Sequence, residues 1–214
     1  MAKQHIISIR ITVVLLLIVC GAYPLVVWGV AQAAFHHQAN GSLITNDKGV
    51  VVGSELLGQS FTKPEYFHPR PSAAGGGYDP TASSGTNLGP TSDKLINGIH
   101  KKTADGKDDP SNFDGVKDLA AAYRTENGLP ANALVPVDAV TRSASGLDPE
   151  ISVANAALQL ARVAKARGMT EDAVKKLVED NTQGRSLGFL GEPGVNVLKL
   201  NIALDKTAPV KPAT

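Results

Sequence analysis

The sequence predicts an α+β protein, in which a single N-terminal transmembrane helix precedes one extracytoplasmic mixed α/β domain. Three observations predict this class. Residues 11–34 form a run of 24 residues without a charge, later segments repeat apolar residues at helical spacing, and others alternate apolar with polar residues as strands do. Because a helix rises about 1.5 Å per residue, the uncharged run is long enough to cross a bilayer.

Composition divides the chain into four predicted parts. They are a cytoplasmic N-terminal arm at 1–10, the transmembrane helix at 11–34, an extracytoplasmic soluble domain at 35–205 and a loose C-terminal tail at 206–214. Lys3 and Arg10 precede the helix, whereas Lys48 is alone in the first stretch after it, residues 35–49. The positive-inside rule therefore predicts that the arm lies in the cytoplasm and the domain outside.

A cleaved signal peptide is the main alternative for the first segment. The Ala-Gln-Ala sequence at 31–33 fits a cleavage site, but the apolar run is longer than the roughly 7–15 residues of a signal sequence. Pro24 within the run and Trp28 near its end favour a mature transmembrane helix. A lipid-modified Cys20 is a weaker alternative.

The composition argues against several classes of function. The chain has 21 Lys+Arg and 20 Asp+Glu, and only Lys3 and Arg10 precede Phe35, which leaves 19 basic against 20 acidic residues in the soluble part. This balance argues against nucleic-acid binding, which needs clustered basic residues. The one cysteine, Cys20, allows neither an intrachain disulfide nor a multi-cysteine metal site.

The soluble part begins with a predicted β-hairpin. Two short apolar runs, 42–45 and 50–52, flank the turn sequence Asn-Asp-Lys-Gly at 46–49. Gly58 to Ala73, GQSFTKPEYFHPRPSA, holds three prolines and has no helical periodicity, which predicts an ordered irregular segment. We call it the proline-rich segment. Residues 71–91 are predicted to form a long loop rich in Gly, Pro, Ser and Thr.

In the middle of the domain, the sequence predicts two helices and a strand. The helices are predicted at 92–100 and 113–127, and the strand at 133–140. In the second helix, apolar residues recur at i, i+3, i+4 and i+7, at Val116, Leu119, Ala120 and Tyr123.

The C-terminal third is predicted as two helices and a strand. Residues 151–167 form the clearest soluble helix, with a predicted apolar stripe of Val153, Ala154, Ala157, Leu158, Ala161 and Ala164. Thr170 suits the N-cap of the next helix. A half-buried strand is predicted from the alternating residues Leu198, Leu200, Ile202 and Leu204.

The sequence holds no convincing catalytic set and predicts no metal site. Asp205-Lys206-Thr207 repeats the start of the phosphorylation motif of P-type ATPases, but Ala208 replaces the glycine that should follow. The three glycines at 75–77 lack the strand-to-helix context of a phosphate loop. The histidine pair at 36–37 has no evident third ligand.

The proline-rich segment is the best candidate for contact with a protein partner. It combines aromatic and arginine side chains, which are typical contact residues, on a backbone braced by proline. The predicted contact residues are Gln59, Phe61, Tyr66, Phe67 and Arg70. A compatible alternative is that Tyr66 and Phe67 fill the core.

The proline-rich segment closely resembles the signature segment of the C-subunit family of the bacterial Kdp potassium pump, a potassium-transporting P-type ATPase complex. Three further segments resemble the same family: GSELLGQSF at 53–61, TRSASGLDPEISVANA at 141–156 and GEPGVNVLKLNIALD at 191–205. The single anchor, the total length and the order of these segments match the family as well.

This resemblance implies a non-catalytic accessory subunit of an ATP-driven high-affinity potassium uptake pump in the bacterial inner membrane. The implied partners are a channel-like potassium-translocating subunit, a P-type ATPase catalytic subunit, a small membrane peptide and the lipid bilayer. From the residues alone, an anchored hydrolase or a free-standing periplasmic binding module stays open. The first would need a catalytic set, and the second a larger two-lobed domain.

The same resemblance raises ATP as a ligand, because the family has been proposed to assist nucleotide binding by the catalytic subunit. Helix N-termini bind anions, so residues at a predicted helix start are the candidates. They are Ser143, Ser145, Gly146 and Asp148. The alternative is that Asp148 or Ser145 caps the helix.

Overall fold

The computed structural model describes residues 2–209, which fall into two compact units, Met1–Ser54 and Glu55–Thr214. The first unit begins with a helical stretch of 33 residues, Ala2–Ala34, that is long and apolar enough to cross a membrane. It consists of α1 (Ala2–Leu16), a π-helical portion (Leu17–Ala22) and α2 (Tyr23–Ala34). Pro24 cannot donate a backbone hydrogen bond, and the wider π turns lie directly before it.

The predicted hairpin follows a short helix, α3 (His36–Ala39). Strands β1 (Leu43–Thr45) and β2 (Val51–Ser54) pair antiparallel, which confirms the prediction. In the turn, the Oδ1 atom of Asn46 accepts hydrogen bonds from two following backbone amides, each at 3.0 Å. Gly49 supplies the positive φ, 74°, that closes the turn.

The second unit is a mixed α/β domain. Its helices are α4 (Asp93–Asn97), α5 (Val116–Glu126), α6 (Val137–Val140), α7 (Val153–Arg167), α8 (Glu171–Asp180) and α9 (Val197–Thr207). Its strands are β3 (Glu150–Ser152), β4 (Thr182–Gln183) and β5 (Gly194–Asn196). The strands form an antiparallel sheet in the order β3-β5-β4, in which Ile151 lies opposite Val195.

Local capping residues set the starts of the long helices. The side chains of Ser152, Thr170 and Asn196 accept hydrogen bonds from the backbone amides three residues ahead, at 3.0, 3.3 and 3.1 Å. Thr170 is thus the predicted N-cap. Gly168, with φ of 65°, ends α7 in the left-handed conformation.

The core lies where α7, α8 and α9 meet the sheet. Its buried members are Phe67, Ile151, Ala156, Val163, Ala164, Val174, Val178, Val195, Val197, Leu200 and Leu204. A smaller cluster forms around Tyr123, Ala139 and Val140, against which the predicted apolar stripe of α5 packs.

Two predicted strands are wrong. The region 133–140 has only the one-turn helix α6, because Pro136 has no amide proton for a strand ladder. The alternating leucines of 198–204 belong to α9, whose buried face is Val197, Leu198, Leu200, Asn201 and Leu204. This helix continues through Thr207, into the predicted tail, and residues 210–214 lie outside the described part of the chain.

The predicted helix at 151–167 is confirmed from Val153 onward, but its predicted apolar stripe is wrong at four of six positions, with only Ala164 buried and Leu158 half-buried. Val153, Ala154, Ala157 and Ala161 are exposed, and the buried residues are Asn155, Ala156, Gln159, Val163 and Ala164. The buried face is partly polar because it binds the backbone of the proline-rich segment.

Candidate functional site

Two buried amide side chains hold the centre of the proline-rich segment. Asn201 on α9 accepts from the amide of Phe67 at 2.9 Å and donates to the carbonyl of Phe67 at 3.0 Å. Gln159 on α7 makes the same pair of bonds to His68, at 2.7 and 3.0 Å. Both side chains are 1% exposed. They supply the partners that a strand ladder would give an irregular backbone.

Arg162 on α7 binds two further backbone carbonyl groups of the segment. Its Nη1 donates to the carbonyl oxygens of Pro64 and Tyr66 at 2.7 and 2.9 Å. Its Nη2 donates to Gln159 at 2.7 Å, which fixes the amide that binds His68. Burial lowers the pKa of Arg162, but a guanidinium keeps its proton in a protein, so all five donors stay available.

Arg167, at the end of α7, completes the hold on the segment. Its side chain is 1% exposed, and its Nε donates to the carbonyl of Glu65 at 2.6 Å. It pairs with Asp205 of α9 at 2.8 Å and lies over the ring of Tyr66, 4.9 Å from the centroid. The Tyr66 hydroxyl also donates to Asp205, at 3.1 Å. Burial and the Asp205 charge raise the pKa of Tyr66.

We use the name clamp for a set of five side chains on α7 and α9 that bind the segment. They are Gln159, Arg162, Arg167, Asn201 and Asp205. None of them is among the residues predicted from the sequence as a functional site. On α7 the available signal is a row of polar residues, Asn155, Gln159 and Arg162, at i, i+4 and i+7. Such a row indicates from the sequence that the three side chains share one helix face. The structure shows that this face is directed toward the protein interior.

His68 links the segment to the end of α5. Its Nδ1 lies 2.6 Å from a carboxylate oxygen of Glu126, and its Nε2 lies 2.9 Å from the carbonyl oxygen of Lys63. The imidazole ring therefore lies between the side chain of Glu126 and the backbone of Lys63. The hydrogen bond from His68 lowers the pKa of Glu126, against the opposing effect of burial.

The C-terminal end of the segment is tied to the turn before β3. Arg70 pairs with Asp148 at 2.6 Å, and the hydroxyl of Tyr78 donates to the Arg70 carbonyl at 2.5 Å. Ser72 donates to the carbonyl of Gly146 at 2.6 Å. Burial, followed by the Asp148 charge, raises the pKa of Tyr78.

The residues predicted to bind a nucleotide were expected at the start of a helix, and this expected position is wrong. α7 begins at Val153, is capped by Ser152 and is preceded by β3, so neither Ser145 nor Asp148 caps it. The four residues instead build a turn through bonds to following backbone amides. These bonds join Ser143 to Gly146, Ser145 to Leu147 and Asp148 to Glu150, at 2.8, 3.1 and 3.0 Å.

The predicted contact residues differ in accessibility. Phe67 is fully buried, so its side chain belongs to the core and offers no surface to a partner. Gln59, Phe61, Tyr66 and Arg70 are half-buried. The rings of Phe61 and Tyr66 lie 5.4 Å apart. A cleft of about 320 Å³ runs along the segment and is lined by Phe61, His68, Arg70, Tyr78, Tyr123 and Glu126, among others.

Within residues 2–209, one group of three potential metal ligands comes together: His100, Asp114 and Asp118. The Asp118 carboxylate already accepts from the amide of Gly115 at 2.8 Å and contacts His100 at 2.9 Å. The first of these bonds caps α5, and it is the main cause of the lowered pKa of Asp118. Helix capping accounts for this carboxylate without a metal.

The fold thus combines one membrane-length helix with a domain built around a clamped irregular segment. The family model described as K+-transporting ATPase, c chain, matches residues 5–206, so the chain belongs to this family of pump subunits. This confirms the resemblance of the four sequence segments.

Named relatives agree. The potassium-transporting ATPase KdpC subunit of Mycobacterium tuberculosis (strain ATCC 25618 / H37Rv) is 50% identical over 206 residues, 96% of this chain and 100% of its own. The proteins of the same name from Koribacter versatilis and Caulobacter vibrioides are 46% and 54% identical. The match to the Koribacter protein covers 98% of this chain and 98% of the relative. The match to the Caulobacter protein covers 88% of this chain and 85% of the relative.

Proposed function

We propose that the chain is a non-catalytic accessory subunit that stabilises the assembly of a channel-like potassium-translocating subunit with a P-type ATPase catalytic subunit. A small membrane peptide completes the proposed complex, which takes up potassium at the expense of ATP. One observation carries the proposal beyond family membership. The proline-rich segment is held in one conformation by buried side chains, so its half-buried residues form a preformed surface.

The proposed topology follows the charge pattern of the first unit. The Ala2–Ala34 helix spans the inner membrane, with Lys3 and Arg10 on the cytoplasmic side. The mixed α/β domain then lies on the extracytoplasmic side. Its clamped segment rests on the channel-like subunit near the entrance for potassium.

A rigid contact surface suits a subunit that stabilises an assembly. A partner that binds only the assembled geometry shifts the equilibrium toward it by mass action. Because the clamp has already ordered the segment, docking loses less conformational entropy than the docking of a flexible loop. In this proposal any effect on ATP binding by the catalytic subunit passes through the assembled geometry, and the turn at 143–148 has a structural role.

The test is a mild-detergent pull-down of the C-terminally tagged full chain from potassium-starved native cells, with mass spectrometry of the proteins that accompany it. We expect a channel-like subunit and a P-type ATPase in about equal amounts with the chain. Phe61→Ala and Tyr66→Ala should each lower that recovery, whereas Asn132→Ala, at an exposed site, should not. Recovery of the wild-type chain without partners would overturn the proposal.

A further inference from the structure

The loop between β4 and β5 presents apolar side chains to solvent. Leu187 is 82% exposed, Phe189 69% and Leu190 50%. The loop is a narrow hairpin, since Ser186 and Leu190 form an antiparallel bridge through two backbone hydrogen bonds of 2.9 Å. We call residues 185–192 the hairpin tip.

The backbone of the hairpin tip is ordered and holds these side chains outward. Further backbone bonds join Gly188 to Arg185 and Phe189 to Ser186, at 3.1 and 3.3 Å. Leu187 has φ of 54°, a left-handed conformation that is rare and unfavourable for a bulky residue. Such outliers persist where surrounding structure enforces them, and they cluster at functional sites.

The exposed area indicates what kind of contact the tip can make. At roughly 150–200 Å² for a fully exposed side chain of this size, the three residues leave roughly 300–400 Å² of apolar surface. A stable interface between free proteins buries about 800 Å² on each partner. The tip is therefore too small to hold two free copies of this chain together. It is large enough to act as one anchor point for a domain that a membrane helix already keeps beside its partner.

The charges around the tip favour a protein over a bilayer as its partner. Segments that enter a bilayer surface combine an apolar face of tryptophan, phenylalanine or leucine with lysine and arginine that meet anionic headgroups. Tryptophan and tyrosine are enriched at the interface itself. Here the one basic residue, Arg185, is paired with Glu192 at 2.5 Å, and the tip has neither tryptophan nor tyrosine. The Arg185–Glu192 pair has no net charge, and the hairpin tip that it closes exposes leucine and phenylalanine. This combination is suited to an apolar pocket rimmed by polar groups.

We infer that the hairpin tip inserts Leu187 and Phe189 into an apolar pocket on the extracytoplasmic face of another protein subunit of the same membrane complex. This inference rests on the proposed function, because it needs a partner held in the same membrane. It adds a second contact that the proline-rich segment does not include.

Amide hydrogen exchange of the full chain tests the inference in three states: alone in detergent, alone in lipid nanodiscs, and in the complex recovered by pull-down. We expect exchange in residues 185–192 to slow by about tenfold or more in the complex only. The test variant is Leu187→Gly with Phe189→Ser, because glycine suits the positive φ at position 187 and spares the fold. The matched control is Leu134→Ser, at a leucine that is 92% exposed.

In the variant complex we expect the protection of residues 185–192 to be lost, while the control keeps it. Partners that co-purify with the wild-type chain without protecting the tip would overturn this inference and leave the proposed function standing. Protection in nanodiscs without partners would overturn it in favour of bilayer contact. Failure of the wild-type chain to recover any partner is the separate outcome that overturns the proposed function itself.

Discussion

Asn201 pairs both polar groups of its side-chain amide with the backbone of Phe67, at 2.9 and 3.0 Å, across 134 residues of sequence. The pairing orients Phe67 so that its ring is fully buried, while Tyr66 beside it stays partly accessible. One polar residue on the buried face of α9 thus binds the backbone at the point where an aromatic side chain enters the core. Four predictions follow from this clamp and the turns around it.

Replacing Asn201 with alanine should leave two buried backbone groups of Phe67 without partners. Each such group costs about 1–3 kcal/mol, so we expect the free energy of unfolding to fall by about 2–6 kcal/mol. Chemical denaturation of the full chain in detergent, followed by circular dichroism, measures the change. Asn132→Ala, at an exposed site, should change stability by no more than about 0.5 kcal/mol. A loss at Asn201 as small as in this control would show that the pairing is not needed.

Replacing Arg167 with lysine should destabilise the domain although the charge is kept. An ammonium cannot reproduce the separate guanidinium bonds to Glu65, Asp205 and Ala208. We expect a loss of about 2–4 kcal/mol, because the site is buried and its partners stay behind. The matched control is Lys175→Ala, which removes an exposed ion pair with Glu179 and should cost about 0–0.5 kcal/mol. Equal effects at the two sites would contradict a structural role for Arg167.

The His68–Glu126 pair should make the domain less stable in acid. Its hydrogen bond lowers the pKa of Glu126 in the folded state below the unfolded value of 4.5. The contribution is therefore fully present above about pH 4.5 and is lost as the pH falls through the folded pKa. Glu126→Gln should flatten the decline of unfolding free energy between pH 6 and pH 3.

The same titration on Asp105→Asn, at an exposed carboxylate, is the control and should follow the wild-type curve. If Glu126→Gln also follows the wild-type curve, the pair has no effect on acid stability.

Replacing Gly146 with alanine should destabilise the turn in which the Gly146 carbonyl accepts a hydrogen bond from Ser72. Gly146 has φ of 69°, and a Cβ there would lie 2.6 Å from the carbonyl oxygen of Ser84 and 2.7 Å from the amide nitrogen of Ala74. We expect Gly146→Ala to lower the melting temperature by several degrees, since both strain and overlap cost about 1–3 kcal/mol each. Gly184→Ala, where a Cβ meets nothing within 4 Å, is the control. A pair of unchanged melting curves would refute the close packing of this turn.

Family membership and much of the local structure were predictable from the sequence, because their signals are short in range. The long apolar helix, the hairpin at Asn46 and the Thr170 cap depend on residues a few positions apart. Two strand predictions failed for the same reason. The spacing of Leu198, Leu200 and Leu204 fits both a strand and a helix, and neighbouring residues alone do not choose between them.

The clamp was beyond prediction, because it joins the proline-rich segment to residues 91 to 139 positions away in the sequence. A polar residue in an amphipathic helix is normally expected on the solvent side, so the sequence did not show that Gln159, Arg162 and Asn201 face inward. The polar row on α7 indicated a shared helix face, but not that this face is buried. By itself the sequence determined the elements whose hydrogen bonds are local, and the four segments that resemble a pump subunit. Only the tertiary structure decided which buried polar side chains satisfy the irregular backbone between Lys63 and Arg70, because every buried amide and carbonyl needs a partner and here those partners come from distant helices.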